Sequence, residues 1–362
     1  MNLSQWQKKQ AALLYHFSSL SYLEGLRDRL RALRVFAEGL LDDNEAKGRD
    51  RFLRSKQWGS RNTGENWESN AWPFLGDFQR SIAQNIVDLR SNRYHRTGAY
   101  QCGRGMSESS VQWMAPEKQE QFDRMFEELS RYALYIDETM DRTVLATRWD
   151  DFGLTMAWQH HADQFPLLPK LRAVTDISAA SGALPPKTGV YVSMDDPDAT
   201  LQFAWIGAPE GRLLDATTFN KTGKAALAAV GRAEMWVDGD AMLRFVLHNL
   251  SNPDLKSDPF FDESITPDLA PTLVARNAFA EHPSRWCYVE LIQDELEPLD
   301  GEVTGGEPET LRFEAGDICL KEGFYFTPAE MGSRRHFQRG ERVPALSSQY
   351  GKTIWQWDGK QD

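Results

Sequence analysis

Apolar side chains recur at helical spacing through the first half of the chain. Leu23, Leu26, Leu30, Leu33, Ala37 and Leu40 fall three or four apart, with Arg27, Arg29, Arg31 and Arg34 largely between them. That pattern predicts an amphipathic helix with a basic solvent face. Phe78, Ile82, Ile86 and Leu89 repeat it. A third helix is predicted from Pro116, with Glu117 in its first turn and a stripe through Phe122, Phe126, Leu129, Ala133, Ile136 and Met140. Such stripes are buried most economically against one another, so a helical bundle is expected over residues 1–170. Residues 55–72 and 95–115, rich in Gly, Ser, Asn and Trp, read as long loops between the helices.

From about 171 to 362 the texture changes. Short β-branched or aromatic runs bounded by Gly, Pro and Asp predict strands: Val190–Val192, Gln202–Ile206, Met235–Val237, Trp286–Leu291, Phe324–Phe326 and Thr353–Trp357. Helical patterns interrupt them at 225–230, 241–250 and 267–280. The expected fold class is therefore α+β: an N-terminal helical bundle, then an antiparallel-sheet region with interspersed helices, in two domains or one continuous one. A repeat is visible inside the second region. Gly182-Ala-Leu-Pro-Pro-Lys187-Thr-Gly189-Val-Tyr191-Val aligns without gaps to Gly316-Asp-Ile-Cys-Leu-Lys321-Glu-Gly323-Phe-Tyr325-Phe. Thr97-Gly98-Ala99-Tyr100 is a shorter echo. Each reads as a glycine turn entering an aromatic strand, and repetition suggests a duplicated module.

Charge narrows the range of partners. With 53 acidic and 41 basic residues the net charge is −12, which repels nucleic acid and anionic lipid and attracts basic proteins. Eight acids and no Lys or Arg lie between Glu290 and Glu309, among them Asp294, Glu295, Glu297, Asp300 and Glu302. Asp195, Asp196 and Asp198 form a smaller cluster. Acidic loops of this kind could imitate a phosphate backbone and plug a basic cleft. Trp58, Trp67 and Trp113, in the long loops, are the expected aromatic anchors of a contact surface.

Catalytic chemistry finds little support. The Lys-Thr pairs at 187–188 and 352–353 lack the glycines of a phosphate loop, and Lys224 is followed by Ala225. His160-His161 would diverge by about 100° on a helix, so no metal site is expected there. Cys102, in Gln101-Cys102-Gly103-Arg104-Gly105, sits in a Gly-rich stretch beside a basic residue whose charge could lower a thiol pKa, with no positioned base legible. It and unassigned carboxylates are what an alternative reading, an uncharacterised hydrolase, would use. Three scattered cysteines imply a reducing cytoplasm, no apolar run approaches the ~20 residues a bilayer needs, and no signal peptide is read at the start. No cofactor and no metal are expected.

Gly316–Phe326, Ser333-Arg334-Arg335, Gly340-Glu341, Pro344 and Gly351–Trp357 resemble immunity proteins of bacterial polymorphic toxin systems, typically encoded beside type VI secretion effectors. Thr188–Tyr191, Phe203–Trp205, Val230–Arg232 and Trp236–Asp238 are similar to the same family's central region. The resemblance spans roughly 180–357 and departs from the family at Leu320 and Phe324-Tyr325, where Pro and Trp are usual. It implies a cytoplasmic non-enzyme that binds a cognate basic toxin, a nuclease in the expected case, and occludes its active cleft.

Overall fold

A computed structural model describes residues 1–55, 59–140, 148–259, 261, 265–298, 312–317, 319, 322–327, 333–338, 340–345 and 353–358. The first half is helical: α1 (Gln5–Phe17), α2 (Leu20–Ala46), α3 (Arg49–Arg54), α4 (Gly64–Asn70), α5 (Trp72–Leu89), α6 (Ala99–Ser107), α7 (Pro116–Met140) and α8 (Asp151–His161). The three striped segments are α2, α5 and α7, and their stripes are buried as their spacing requires. Residues 55–72 and 95–115 are only partly the loops expected of them, because α4 and α6 form within them. Thr63 caps α4 by accepting from Asn66 N, and Asp50 accepts from Gly64 N and Glu65 N. These bonds satisfy the free amides of a first turn, so a short Gly- and Asn-containing segment stays helical.

The second half then alternates strands and helices: β1 (Leu168–Ala180), β2 (Gly189–Ser193), β3 (Gln202–Ala204), β4 (Ala216–Phe219), α9 (Lys221–Val230), α10 (Gly239–His248), α11 (Pro253–Lys256), α12 (Ala270–Arg276), β5 (Phe279–His282) and β6 (Arg285–Glu297). After these come β7 (Arg312–Glu314), β8 (Gly323–Phe326), β9 (Arg335–Phe337) and β10 (Ile354–Trp357). The architecture is α+β with antiparallel sheets. Met235-Trp236-Val237, expected as a strand, is instead a turn in which Trp236 takes a left-handed φ of 74°. Its indole explains the conformation: Nε1 donates to the buried Asp151 carboxylate at 2.8 Å.

Two compact units divide at 299/300. Within the first unit, one core runs from the helices into a sheet face, joining Leu14, Leu26 and Phe78 to Leu171, Val190, Val192, Phe203, Cys287 and Val289. The helical segment and the first sheet therefore share a core. A lobe formed by α9, α10 and α12 carries its own apolar centre around Phe245, Leu273 and Val274.

The repeat seen in the sequence is a repeat of a whole sheet. The first sheet has strand order β1-β6-β2-β3 and lies in the first unit; the second has order β7-β10-β8-β9 and lies in the other. Matching β1 to β7, β2 to β8, β3 to β9 and β6 to β10 superposes the two orders and every antiparallel pairing. Register agrees too: Ala179 faces Trp286 as Phe313 faces Trp355, and Tyr191 faces Tyr288 as Tyr325 faces Trp357. The connecting turns are the same. Gly182 and Gly316 take φ of 84° and 100°, Gly189 and Gly323 of 150° and 154°, all in territory that favours glycine. Gly182 N donates to Leu213 O and Leu213 N to Ala183 O; Gly316 N donates to Val343 O and Val343 N to Asp317 O. Gly98, the third echo, is different, since it opens helix α6 and no strand follows.

Candidate partner-binding surface

Trp67 and Trp113 are each 1% exposed, their rings 5.3 Å apart and Trp67 edge-on to Phe122. They are core residues. The capped helix α4 turns Trp67 inward, so both are withdrawn as contact anchors. Trp58 lies outside the described residues.

The acids of the sequence reading are largely engaged within the chain. Arg285 donates to Asp195 through backbone N and guanidinium (2.8 and 2.9 Å), and this holds the Asp195 carboxyl below the usual range. Asp196 meets His282 Nε2 at 3.1 Å and accepts from Asp198 N, while Asp198 binds Arg232 at 3.0 Å. Arg232 reaches on to Asp151 at 2.6 Å. The acidic run from 290 to 297 is strand β6, not loop, and its neighbours answer it: Glu290 pairs Arg172, Glu295 pairs Lys170 at 2.6 Å, and Glu297 pairs Lys8 of α1 at 2.8 Å. Asp294 lies on the same strand. Asp300 and Glu302 lie outside the described residues. Each pair is worth little in stability at the surface, where solvent and salt screen it. Together they offset the charge of Glu290, Glu295 and Glu297 and so weaken the field that would draw a basic partner to this strand.

The residues weighed for chemistry are mostly structural. Cys102 sits on α6, not in a loop, and is buried. Burial, with Asp77 nearby, pushes its thiol up to about 12. A thiol so rarely ionised is a poor nucleophile, which removes it from the hydrolase alternative. His161 is buried, Nδ1 against Ala157 O, and burial lowers its pKa; His160 caps Met156 O in the same way. Among the described residues no group of His, Cys, Asp and Glu could hold a metal ion. Nor is any described helix long and apolar enough to cross a membrane.

Two surface features were not visible in the sequence. One is a cleft of about 550 Å³ between α6 and α7, lined by Arg96, Tyr100, Arg104, Ser107, Leu134 and Glu138. Tyr100 and Leu134 are 68% and 49% exposed. Burial, then the charges of Asp150 and Asp137, raises the Glu138 carboxyl to about 7. Its neighbours are committed: Asp137 accepts from Thr97 N and Oγ1, and Asp150 caps α8 through Gly153 N.

The other is a face of the second sheet. In both sheets one face closes over a ring cluster: Tyr191, Trp286, Tyr288 and Leu213 in the first, Tyr325, Trp355, Phe337 and Val343 in the second. The opposite face of the first sheet is sealed into the helical core. At matching positions of the second sheet Val192 becomes Phe326, 36% exposed, and Phe203 becomes His336, also exposed. Ile354, on the same face as Gln356, is 41% exposed. Phe324 is half-buried beneath the Arg334 guanidinium, which lies 4.0 Å from its ring centre. Compared with known protein families, characterised proteins and solved structures, the chain matches none of them.

Proposed function

We propose that this chain is a cytoplasmic immunity protein that binds a cognate antibacterial type VI secretion toxin, a nuclease by expectation, and occludes its active cleft. The observation that carries the reading is the doubled sheet. One face of the first copy is sealed by the chain's own helices, while the matching face of the other presents Phe326 and Ile354 to solvent, and large apolar side chains exposed on a strand are effective anchors for a partner. Of the segments that resemble immunity proteins, the described parts of all but two fall on these two sheets and their turns; Val230–Arg232 and Trp236–Asp238 lie instead between the end of α9 and the start of α10. Steering by the acids of β6 supports the reading less than the sequence suggested, because Glu290, Glu295 and Glu297 are paired within the chain.

The test is co-expression with the neighbouring open reading frame. The reading expects that gene to kill cells alone, this chain to restore growth, and the two products to co-purify 1:1. Continued killing, with no complex, removes it. A second reading, a hydrolase, draws on Glu138, whose carboxyl burial raises to about 7 and which lines the α6–α7 cleft together with Arg96 and Arg104. Turnover of p-nitrophenyl esters or phosphates by the purified chain, abolished in Glu138→Gln, would favour it.

A further inference from the structure

We infer that the outward face of the β7–β10 sheet docks an amphipathic α-helix of the toxin, seated as α1 is seated on the first sheet. The inference rests on the partner-binding reading and names the element that makes the contact.

The first sheet shows what this architecture does with its second face. Helix α1 crosses it: the Tyr15 hydroxyl accepts from Val190 N at 3.3 Å and donates to Val289 O, and Gln10 Oε1 accepts from Leu201 N at 3.0 Å. Val190, Val192, Cys287 and Val289 beneath it have no exposure. A twisted antiparallel sheet with one face on rings and the other on a helix is thus a complete unit in this chain. The second sheet has the same strand order, register and turns, and the same ring cluster on one side. Among the described residues of 300–362 there is no helix. At two of the positions matching the sealed face, Val192 and Cys287 give way to Phe326 and Gln356. The larger ring is partly exposed, with Ile354 diagonal to it on the neighbouring strand.

The occupant cannot economically be α1 of another copy. Ala11, Leu13 and Leu14 of α1 are wholly buried in the core, and withdrawing them would open it. A helix from the toxin, with apolar residues at i, i+3, i+4 and i+7, fits instead, its stripe lying across Phe326 and Ile354. Pairing at the outer edge strand β9 is a different geometry, and the two leave different traces.

Hydrogen–deuterium exchange on the full chain, with and without the purified, catalytically inert product of the adjacent toxin gene, tests this. The proposal expects slowed exchange on binding at 323–326 and 354–357, and on the toxin within one helical segment. Phe326→Asp with Ile354→Asp should weaken binding tenfold or more, while Phe52→Asp, at an exposed ring of α3, leaves it unchanged. Protection elsewhere in a complex that does form overturns the inference and spares the immunity reading. Protection confined to the β9 amides, with a toxin strand as the protected element, also overturns it. Absence of any complex overturns both. The exchange map of the unaltered chain decides between these even if the double variant does not fold.

Discussion

Trp286 and Trp355 make the same hydrogen bond in two different sheets. Trp286 Nε1 donates to Leu214 O at 3.0 Å, Trp355 Nε1 donates to Pro344 O at 2.8 Å, and each ring is wholly buried. The acceptors follow Leu213 and Val343, the residues that close the two glycine turns. Backbone bonds just before the tryptophans match as well, Ser181 N to Ser284 O and Ala315 N to Thr353 O. The module is therefore held by one tryptophan latch used twice. Trp286→Phe and Trp355→Phe should each destabilise their sheet by about 2–4 kcal/mol, from the lost bond and unfilled volume. Urea unfolding followed by circular dichroism measures this; a neutral effect at either position contradicts the equivalence.

Asp151 organises the first unit. Its carboxylate accepts from Trp6 Nε1 at 2.7 Å, Trp236 Nε1 at 2.8 Å and Arg232 at 2.6 Å, so α1, α8 and the turn after α9 meet on one buried charge. Asp151→Ala should cost about 3–5 kcal/mol, because a guanidinium and two indoles lose their acceptor together. Asp151→Asn keeps an acceptor oxygen and should cost less. Denaturant midpoints of the two variants decide the order.

Glu138 makes stability depend on pH in a defined direction. Its carboxyl titrates at about 7 in the fold, against an ordinary 4.5, so the folded chain binds this proton more tightly than the unfolded chain does. Its ionisation therefore opposes folding above about pH 7, and the penalty fades as pH falls to 4.5. Glu138→Gln should stabilise by on the order of 1–3 kcal/mol at pH 8 and converge with the unaltered protein near pH 4.5. Half-buried His16, lowered to about 4 by desolvation and by His161, acts in the opposite sense, losing stability below pH 6.5. Comparing variant with parent at each pH isolates Glu138. A gap that widened in acid would reverse the assignment.

The thiols should be inert. Cys102, Cys287 and Cys319 are all buried, and burial raises Cys102 to about 12. Ellman's reagent at pH 7.5 should label the native protein only at the rate of unfolding, and all three thiols at once in guanidinium. Rapid native labelling of Cys102 would return it to consideration as a nucleophile.

What the sequence disclosed was local. The stripes of α2, α5 and α7 needed only their own spacing, and the turn at Gly182–Gly189 announced its counterpart at Gly316–Gly323 because two glycines, a lysine and a tyrosine were retained. Pairing was not legible. That Glu295 meets Lys170 and Glu297 meets Lys8 follows from which strand and helix lie beside β6, and the acidic run looked free without that knowledge. Trp67 misled for a related reason: Gly, Ser and Asn around it suggested a loop, and the bonds that make α4 a helix come partly from Asp50, well upstream. Trp236 resembled a strand residue locally, and only its bond to Asp151 shows why it turns.

Titrating the purified, active toxin with this chain should give complete inhibition at a 1:1 ratio, lost when Phe326 and Ile354 become Asp and retained when Asp195 and Glu295 become Asn and Gln. Inhibition that survives at the sheet face but vanishes with the two acids would contradict this expectation.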